Sequence, residues 1–342
     1  MTTSEFRAQF FALAQGAQRI VITSHMSPDD DSIGSVLSMR RILLQQYPQK
    51  DIRILYTGTM VSRYRVFDDF EKIEWVDDVG NHLEGVDMLV MVDASGYARF
   101  SKSPQNLQQV PITVAIDHHA SEPDDFTLLY KDETCSSNTQ LIYSIFIAES
   151  DYDASMASYL LLGILGDTGN FAYVQPSRTE VFVLAKALVE KVGMPIDQFR
   201  SRYGGIPKRI IPLLQELVKN IRYETIETWP PAQYTYIDRA VLVAGDYTDE
   251  DMSAASHIYM GQYLPRVEGF GWGFVITPRS DGGCRMSSRS LPTSVNVRML
   301  HEGLGNGSGH DRASGGFFAE PDPRACIEAV LGWMRAHPAT IG

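Results

Sequence analysis

Four short apolar runs punctuate the first half of the chain, at residues 19–23, 52–56, 88–93 and 112–117. Each is shorter than an ordinary helix and almost unbroken in its apolar character, the pattern of a strand buried on both faces. Between the first two, Ile33, Val36, Leu37, Met39, Leu43 and Leu44 recur at helical spacing over 32–47. Strands alternating with helices predict a mostly parallel sheet covered on both sides. A helical block over 136–149, 154–165 and 178–192 should pack on that sheet, and residues 1–18 read as an amphipathic helix in front of it.

The second half has another texture. Residues 234–238 and 240–243 read as strands, 249–260 as a helix, and 270–277 and 285–290 as adjacent strands. A helix near 295–302, a glycine-rich loop and a last helix near 323–336 complete it. Residues 209–223 read as a helix that Pro230 and Pro231 prevent from continuing. The fold class expected is therefore α/β. A mostly parallel sheet flanked by helices occupies 1–195, a helical linker 196–230, and a smaller C-terminal α/β domain 231–342, across a cleft.

The 342 residues suffice for two domains with real cores. Hydrophobic content of 44% and charged content of 21% are those of a globular protein. A net charge of −12 argues against a general nucleic-acid coat, while leaving room for a local basic pocket. Cys135, Cys284 and Cys326 have neither zinc-ribbon nor redox spacing and read as reduced, buried thiols of a cytoplasmic protein. No apolar run reaches the length of a membrane span, and residues 1–18 lack the build of a signal peptide.

Candidate chemistry sits where the apolar segments end. The first is followed by His25-Met26-Ser27-Pro28-Asp29-Asp30-Asp31, the third ends in Asp93, and the fourth runs into Asp117-His118-His119. The apolar stretch 159–165 leads to Gly166-Asp167. Three successive carboxylates repel one another unless a cation neutralises them, which a divalent metal does most simply. Taken singly, each aspartate also suits a helix cap or turn, with Asp31 or Ser32 the expected cap of the next helix. In an open α/β sheet ligands bind at the carboxyl ends of strands, so residues far apart in sequence can converge there.

Residues 303–316 contain six glycines, with His310 and Arg312 among them. The run fits neither a P-loop nor a dinucleotide fingerprint, yet glycines let backbone N–H groups approach an anion. Between 265 and 315 six arginines, Arg289 included, face four acidic side chains. That balance suits a cationic pocket for a phosphorylated substrate.

The order His25-x-x-x-Asp29-x-Asp31, Asp93, Asp117-His118-His119 and Asp167 resembles the DHH phosphoesterase superfamily. Gly307-Ser308-Gly309-His310 resembles the signature of the DHH-associated C-terminal domain. The two-domain layout is most similar to the nano-RNase and pAp-phosphatase branch. The resemblance implies two divalent metal ions, usually Mn2+, with Mg2+, Co2+ or Fe2+ as alternatives. His25, Asp29 and Asp93 would hold one ion and Asp31, His118 and Asp167 the other, with Asp93 bridging. It places Asp117 behind an imidazole and His119 against the scissile phosphate, so that Asp93, Asp117, His118 and His119 form the catalytic group. Arg289, Gly307, Gly309 and His310, together with His119, would contact substrate.

The implied activity is hydrolysis of short single-stranded RNA or DNA oligonucleotides to nucleoside monophosphates, removal of the 3′-phosphate of pAp, or both. The setting would be cytoplasmic, without a membrane, and a homodimer is common among such proteins. The alternatives are a cyclic-dinucleotide phosphodiesterase acting on c-di-AMP or pApA, and a catalytically silent nucleotide-binding regulator. Asp30 stands where the family usually has glycine and should add charge beside the metals. Asn306 and Ser308 replace glycines of the usual run, and Ser136-Ser137-Asn138 resembles the family's Ser-Ser-Thr helix start. His82, His257, His301 and His337 read as surface or capping residues. Tyr64, Arg65, Tyr97 and Arg99 read as packing residues before cleft-lining ones.

Overall fold

In the computed structural model, which describes residues 1–148 and 151–342 and only the backbone of residues 265, 308 and 310, the chain divides into two compact units, Met1–Gly205 and Ile206–Gly342. Thr2 starts the first helix, α1 (Thr3–Gly16), through a capping box with Glu5, and Phe6, Phe10 and Ala14 form its buried stripe. There follow β1 (Arg19–Ser24), α2 (Asp30–Gln46), β2 (Asp51–Thr57), β3 (Ile73–Val76), β4 (Met88–Val92), the short α3 (Pro104–Leu107), β5 (Ile112–Asp117) and β6 (Leu128–Lys131). The helices α4 (Asn138–Ile142), α5 (Ala154–Asp167), α6 (Glu180–Val192) and α7 (Ile196–Tyr203) complete the first unit.

The six strands form one sheet in the order β3-β2-β1-β4-β5-β6. Every neighbouring pair is parallel, as the apolar runs predict. Successive residues of β1 feed opposite faces. Ile20 and Ile22 join the core under α2 and α5, while Val21 joins Leu89, Met91, Phe100 and Leu107 on the other side. β3 and β6 escape the sequence pattern because each is a four-residue edge strand, too short to show a period.

The strand order reverses between β1 and β4, the point at which doubly wound sheets bind ligands. There Ser24 pairs with Val92, and Val92 pairs with Ile116. The next residues, His25 and Asp93, therefore leave the sheet beside Asp117, the last residue of β5.

The second unit contains α8 (Ile211–Lys219), β7 (Arg222–Glu224), β8 (Ala232–Tyr236), α9 (Arg239–Ala244), α10 (Asp249–Gln262), β9 (Trp272–Pro278), β10 (Cys284–Ser290), α11 (Val297–Leu304), β11 (Gly307–His310), β12 (Ala313–Phe318) and α12 (Pro323–Ala336). Its mixed sheet runs β11-β12-β10-β9-β8-β7, and Trp229, Trp272, Phe274 and Met286 pack with α11 and α12 on one face. Residues 240–243, expected as a strand, lie in α9. A short apolar run carries no period to separate the two states, and of this one only Leu242 is buried. The single helix expected over 209–223 is α8 followed by β7. The span 196–230 is shared between the units, with α7 in the first and α8 and β7 in the second.

The glycine-rich segment is a hairpin of β11 and β12 rather than a loop. A Cβ at Gly307 would fall 2.1 Å from the Gly315 carbonyl oxygen, so glycine here lets two strands pack closely. Cys284 and Cys326, remote in sequence, are both buried in this unit, and their thiols donate to the neighbouring carbonyls of Pro321 and Glu320. Among the described residues no helix is long and apolar enough to cross a membrane.

Candidate metal centre

Asp29, not Asp31 or Ser32, is the N-cap of α2. Its Oδ1 accepts from the Ser32 N–H at 2.9 Å, and Ser32 Oγ accepts from the Asp29 N–H. Capping engages one oxygen and leaves Oδ2 3.5 Å from His25 Nε2. Asp31, two residues on in the first turn, is fully buried and turned toward the start of α4. Its oxygens accept from the backbone N–H groups of Asn138, at 2.5 Å, and Thr139, at 2.9 Å. The Ser136-Ser137-Asn138 segment thus caps α4 through Ser137 and presents N–H groups to Asp31. Glycine at 163 on α5 makes room for this carboxylate, since a Cβ there would lie 2.2 Å from Asp31 Oδ1.

Asp93 follows β4 with a φ of 65°, a left-handed backbone that a non-glycine residue adopts at a cost and that recurs at functional sites. Its Oδ2 lies 3.2 Å from His25 Nε2, and its Oδ1 lies 3.4 Å from His118 Nε2. His118 Nε2 is also 3.1 Å from Asp167 Oδ2 and 3.7 Å from Asp31 Oδ2. The other ring nitrogen of His118 is 3.4 Å from the Cys135 carbonyl oxygen, a contact that fixes the ring with Nε2 turned inward.

Asp117 stands behind this row. It accepts from Ser95 Oγ at 2.6 Å and from the His119 backbone N–H at 3.0 Å and ring Nδ1 at 2.8 Å. It thereby orients the His119 ring, whose Nδ1 is 3.8 Å from Asp93 Oδ1.

Two sets of donor atoms result. His25, Asp29 and Asp93 converge within 4.8 Å, as do Asp31, Asp93, His118 and Asp167. Asp93 belongs to both sets, and to a third with His118 and His119. Buried Asp93 Oδ1 and His118 Nε2 make no hydrogen bond, which is unusual for interior polar atoms and suits metal donors.

The electrostatics agree. Burial, with Asp167 and Asp93 nearby, holds the Asp31 carboxyl well above the usual carboxylate range, and burial raises Asp167 against the pull of His118. Burial alone would lower His25, but Asp29 and Asp93 outweigh it and push the imidazole up to about 10. The cluster thus holds protons at a density of negative charge that divalent cations would relieve by displacing them. Its mixture of imidazole and carboxylate donors fits a first-row divalent ion.

Residues 19–164 match the family described as DHH family, N-terminal domain. The matched residues include His25, Asp29, Asp31, Asp93, Asp117, His118 and His119. The matched family implies dependence on divalent metal, and the buried acidic and imidazole cluster fits it. Likeness to known proteins extends beyond the matched residues. A probable bifunctional oligoribonuclease and PAP phosphatase of Streptococcus mutans is 26% identical over 300 residues, 86% of this chain and 88% of that protein. A bifunctional oligoribonuclease and PAP phosphatase of Thermus thermophilus is 25% identical over 329 residues, 94% and 91% of the two chains. The crystal structure of an exopolyphosphatase-related protein from Bacteroides fragilis superposes with a TM-score of 0.81 at 20% identity, covering 97% of each chain, and so shares the fold.

Other expected residues lie elsewhere or act differently. Arg289 is on β10 and Gly307 and Gly309 on β11, all in the second unit, while the side chains of Ser308 and His310 lie outside the described residues. Arg312 serves structure, donating to the carbonyls of Leu291, Ser294 and Gly342. Arg298 is paired with Glu302 and Asp311, Arg279 with Asp281, Arg266 with Gln262 and Arg285 with Ser253, so these arginines have local partners as well. His301 is buried, not at the surface, and sits between Ser288 Oγ and Asn306 Oδ1 at 2.9 Å each. Asn306 therefore has a structural partner that a glycine could not offer. Asp30 does not leave a free charge beside the centre, because Arg63 Nη2 donates to its Oδ1 at 2.6 Å and the Tyr64 hydroxyl at 2.7 Å. Tyr97 is a core residue, with its hydroxyl 3.1 Å from Thr113 Oγ1.

Proposed function

We propose that this chain is a two-metal phosphoesterase that hydrolyses short oligonucleotides to nucleoside monophosphates and removes the 3′-phosphate of pAp, with Mn2+ as its physiological metal in the cytoplasm. The observation that carries this reading is the sharing of Asp93 by two donor sets at the switch point of a parallel sheet. The activities named for the two relatives support the substrate class.

His25, Asp29 and Asp93 would hold one ion, and Asp31, Asp93, His118 and Asp167 the other. Bound cations supply Lewis-acid polarisation of a phosphoryl oxygen and a hydroxide available near neutral pH. The chain's own residues do the rest. Asp117 fixes the His119 ring, which would donate to a phosphoryl oxygen as charge builds there. The left-handed turn at Asp93 holds its carboxylate between the two sets. Arg289, Gly307, Gly309 and His310 would hold the distal part of the substrate.

A product assay with a diribonucleotide, pAp and a cyclic dinucleotide, each with Mn2+, tests the reading. Release of mononucleotide from the first and AMP from the second supports it. Turnover of the cyclic dinucleotide alone would replace it with a cyclic-dinucleotide phosphodiesterase, and turnover of none with a silent nucleotide binder.

A further inference from the structure

Asp30 and Arg63 form a pair that the metal centre does not use. Asp30 lies between Asp29 and Asp31 in the chain, and its Cβ fills the space a Cβ on Gly166 would need, 2.5 Å away, immediately before Asp167. It thus packs on α5 one residue before Asp167 and lies in the first turn of α2 between Asp29 and Asp31. Arg63, from the 3-10 turn Ser62–Val66, reaches this residue from outside. Its Nη2 donates to Asp30 Oδ1 and to the Tyr64 hydroxyl, and its Cζ sits 4.5 Å above the Tyr64 ring centroid.

The guanidinium is therefore held on one edge and stacked on one face, with 41% of the side chain still exposed. Nε and Nη1 make no hydrogen bond to any described residue. A fixed, half-exposed guanidinium with N–H groups to spare, one hydrogen bond from the segment bearing Asp29 and Asp31, is built to receive an anion. The Asp30 carboxylate would orient it at no cost when the anion arrives, since only Nη2 is committed.

We propose that Arg63 contacts a second, non-scissile phosphate of the substrate, the one nearest the phosphoester at the metal centre, and so favours substrates that carry two phosphates. This rests on the phosphoesterase reading above and names what the site prefers. Such substrates include pAp and 5′-phosphorylated dinucleotides. ApA, whose only phosphate is the scissile one, has nothing for Arg63 to hold.

The test compares pApA with ApA in Mn2+ for the wild type, Arg63→Gln and the double variant Asp30→Asn/Arg63→Gln. The double variant leaves no buried carboxylate unpaired, so it separates contact from folding. In both variants KM for pApA should rise about tenfold or more, the value of a lost charge-assisted hydrogen bond. Turnover number should stay within about twofold and ApA kinetics should not change. An equal effect on both substrates, a fall in kcat at constant KM, or no effect overturns the proposal. If the wild type turns over neither compound yet binds pAp by calorimetry, the hydrolytic reading is the one that fails. Arg63 is then judged on whether Arg63→Gln weakens pAp binding by the same factor.

Discussion

His25 Nε2 lies 3.2 Å from Asp93 Oδ2 although 68 residues separate them in the chain. The register of two parallel strands makes this contact, because Ser24 and Val92 are paired and the next residue on each strand turns into the same space. The other histidines and aspartates of the centre likewise sit at the ends of elements, after β5, at the start of α2 and at the end of α5. Asp93 is the member on which both donor sets depend.

Replacing Asp93 with alanine should lower turnover by about three orders of magnitude, the scale of removing a principal electrostatic group from an active site. The far-ultraviolet circular dichroism should not change, since β4 ends at Val92 before the substituted residue. Near-wild-type turnover would remove Asp93 from the shared position.

Asp117 touches no residue of the two donor sets except through its neighbours, so its loss should separate orientation from metal binding. Asp117→Asn is expected to reduce kcat about 10- to 100-fold, as for other groups that orient a site imidazole. Metal content should remain that of the wild type. Loss of metal with kcat per bound ion unchanged would place Asp117 among the ligands instead.

Gly163→Ala brings a methyl group to 2.2 Å from Asp31 Oδ1 and 2.3 Å from Thr139 Oγ1. Overpacking of this kind costs about 1–3 kcal/mol and should lower the thermal midpoint and weaken Mn2+ binding together. Gly332→Ala is the control, because nothing lies within 4 Å of the added Cβ on α12. It should hold or raise stability. Equal behaviour of the two variants would mean that α5 does not press on Asp31.

Much of this was legible in the sequence, and the parts that were not share a cause. The parallel sheet and the strand-end acids follow from four apolar runs, three of which lead into His25, Asp93 or Asp117. Asp93, Asp117 and His118 could be named because the rule for α/β sheets places ligands at strand ends. The bond from Arg63 to Asp30 and the buried His301 depend on contacts between separate segments, which no local period encodes, whereas the cap at Asp29 is local and lies in the Asp-x-x-Ser spacing to Ser32. Gly163 did leave a signal, a glycine inside a very apolar helix, where it weakens the helix unless close packing requires it. The glycine-rich hairpin misled because the same composition serves an anion loop and tightly packed strands.

His301 makes the second unit sensitive to pH. Burial holds the ring down at about 4, from an ordinary 6.5, with the contact to Asn306 opposing only in part. The unfolded chain therefore takes up a proton between these values before the folded one does, so stability falls with falling pH. The contribution is complete above about pH 6.5, is lost as pH drops toward 4, and amounts to at most about 3 kcal/mol. His301→Gln should be less stable than the wild type at pH 7, and the gap in denaturation midpoint should narrow by pH 4.5. A gap that widens as the pH falls would contradict the neutral, buried ring.

Titration of the metal-free chain with Mn2+, read by calorimetry and by metal analysis of the washed protein, bears most directly on the pairing of donor sets through Asp93. Two ions per wild-type chain and fewer than one in Asp93→Ala are the expected values. A wild-type chain that takes up no divalent ion, or an Asp93→Ala chain that still holds two, would contradict it.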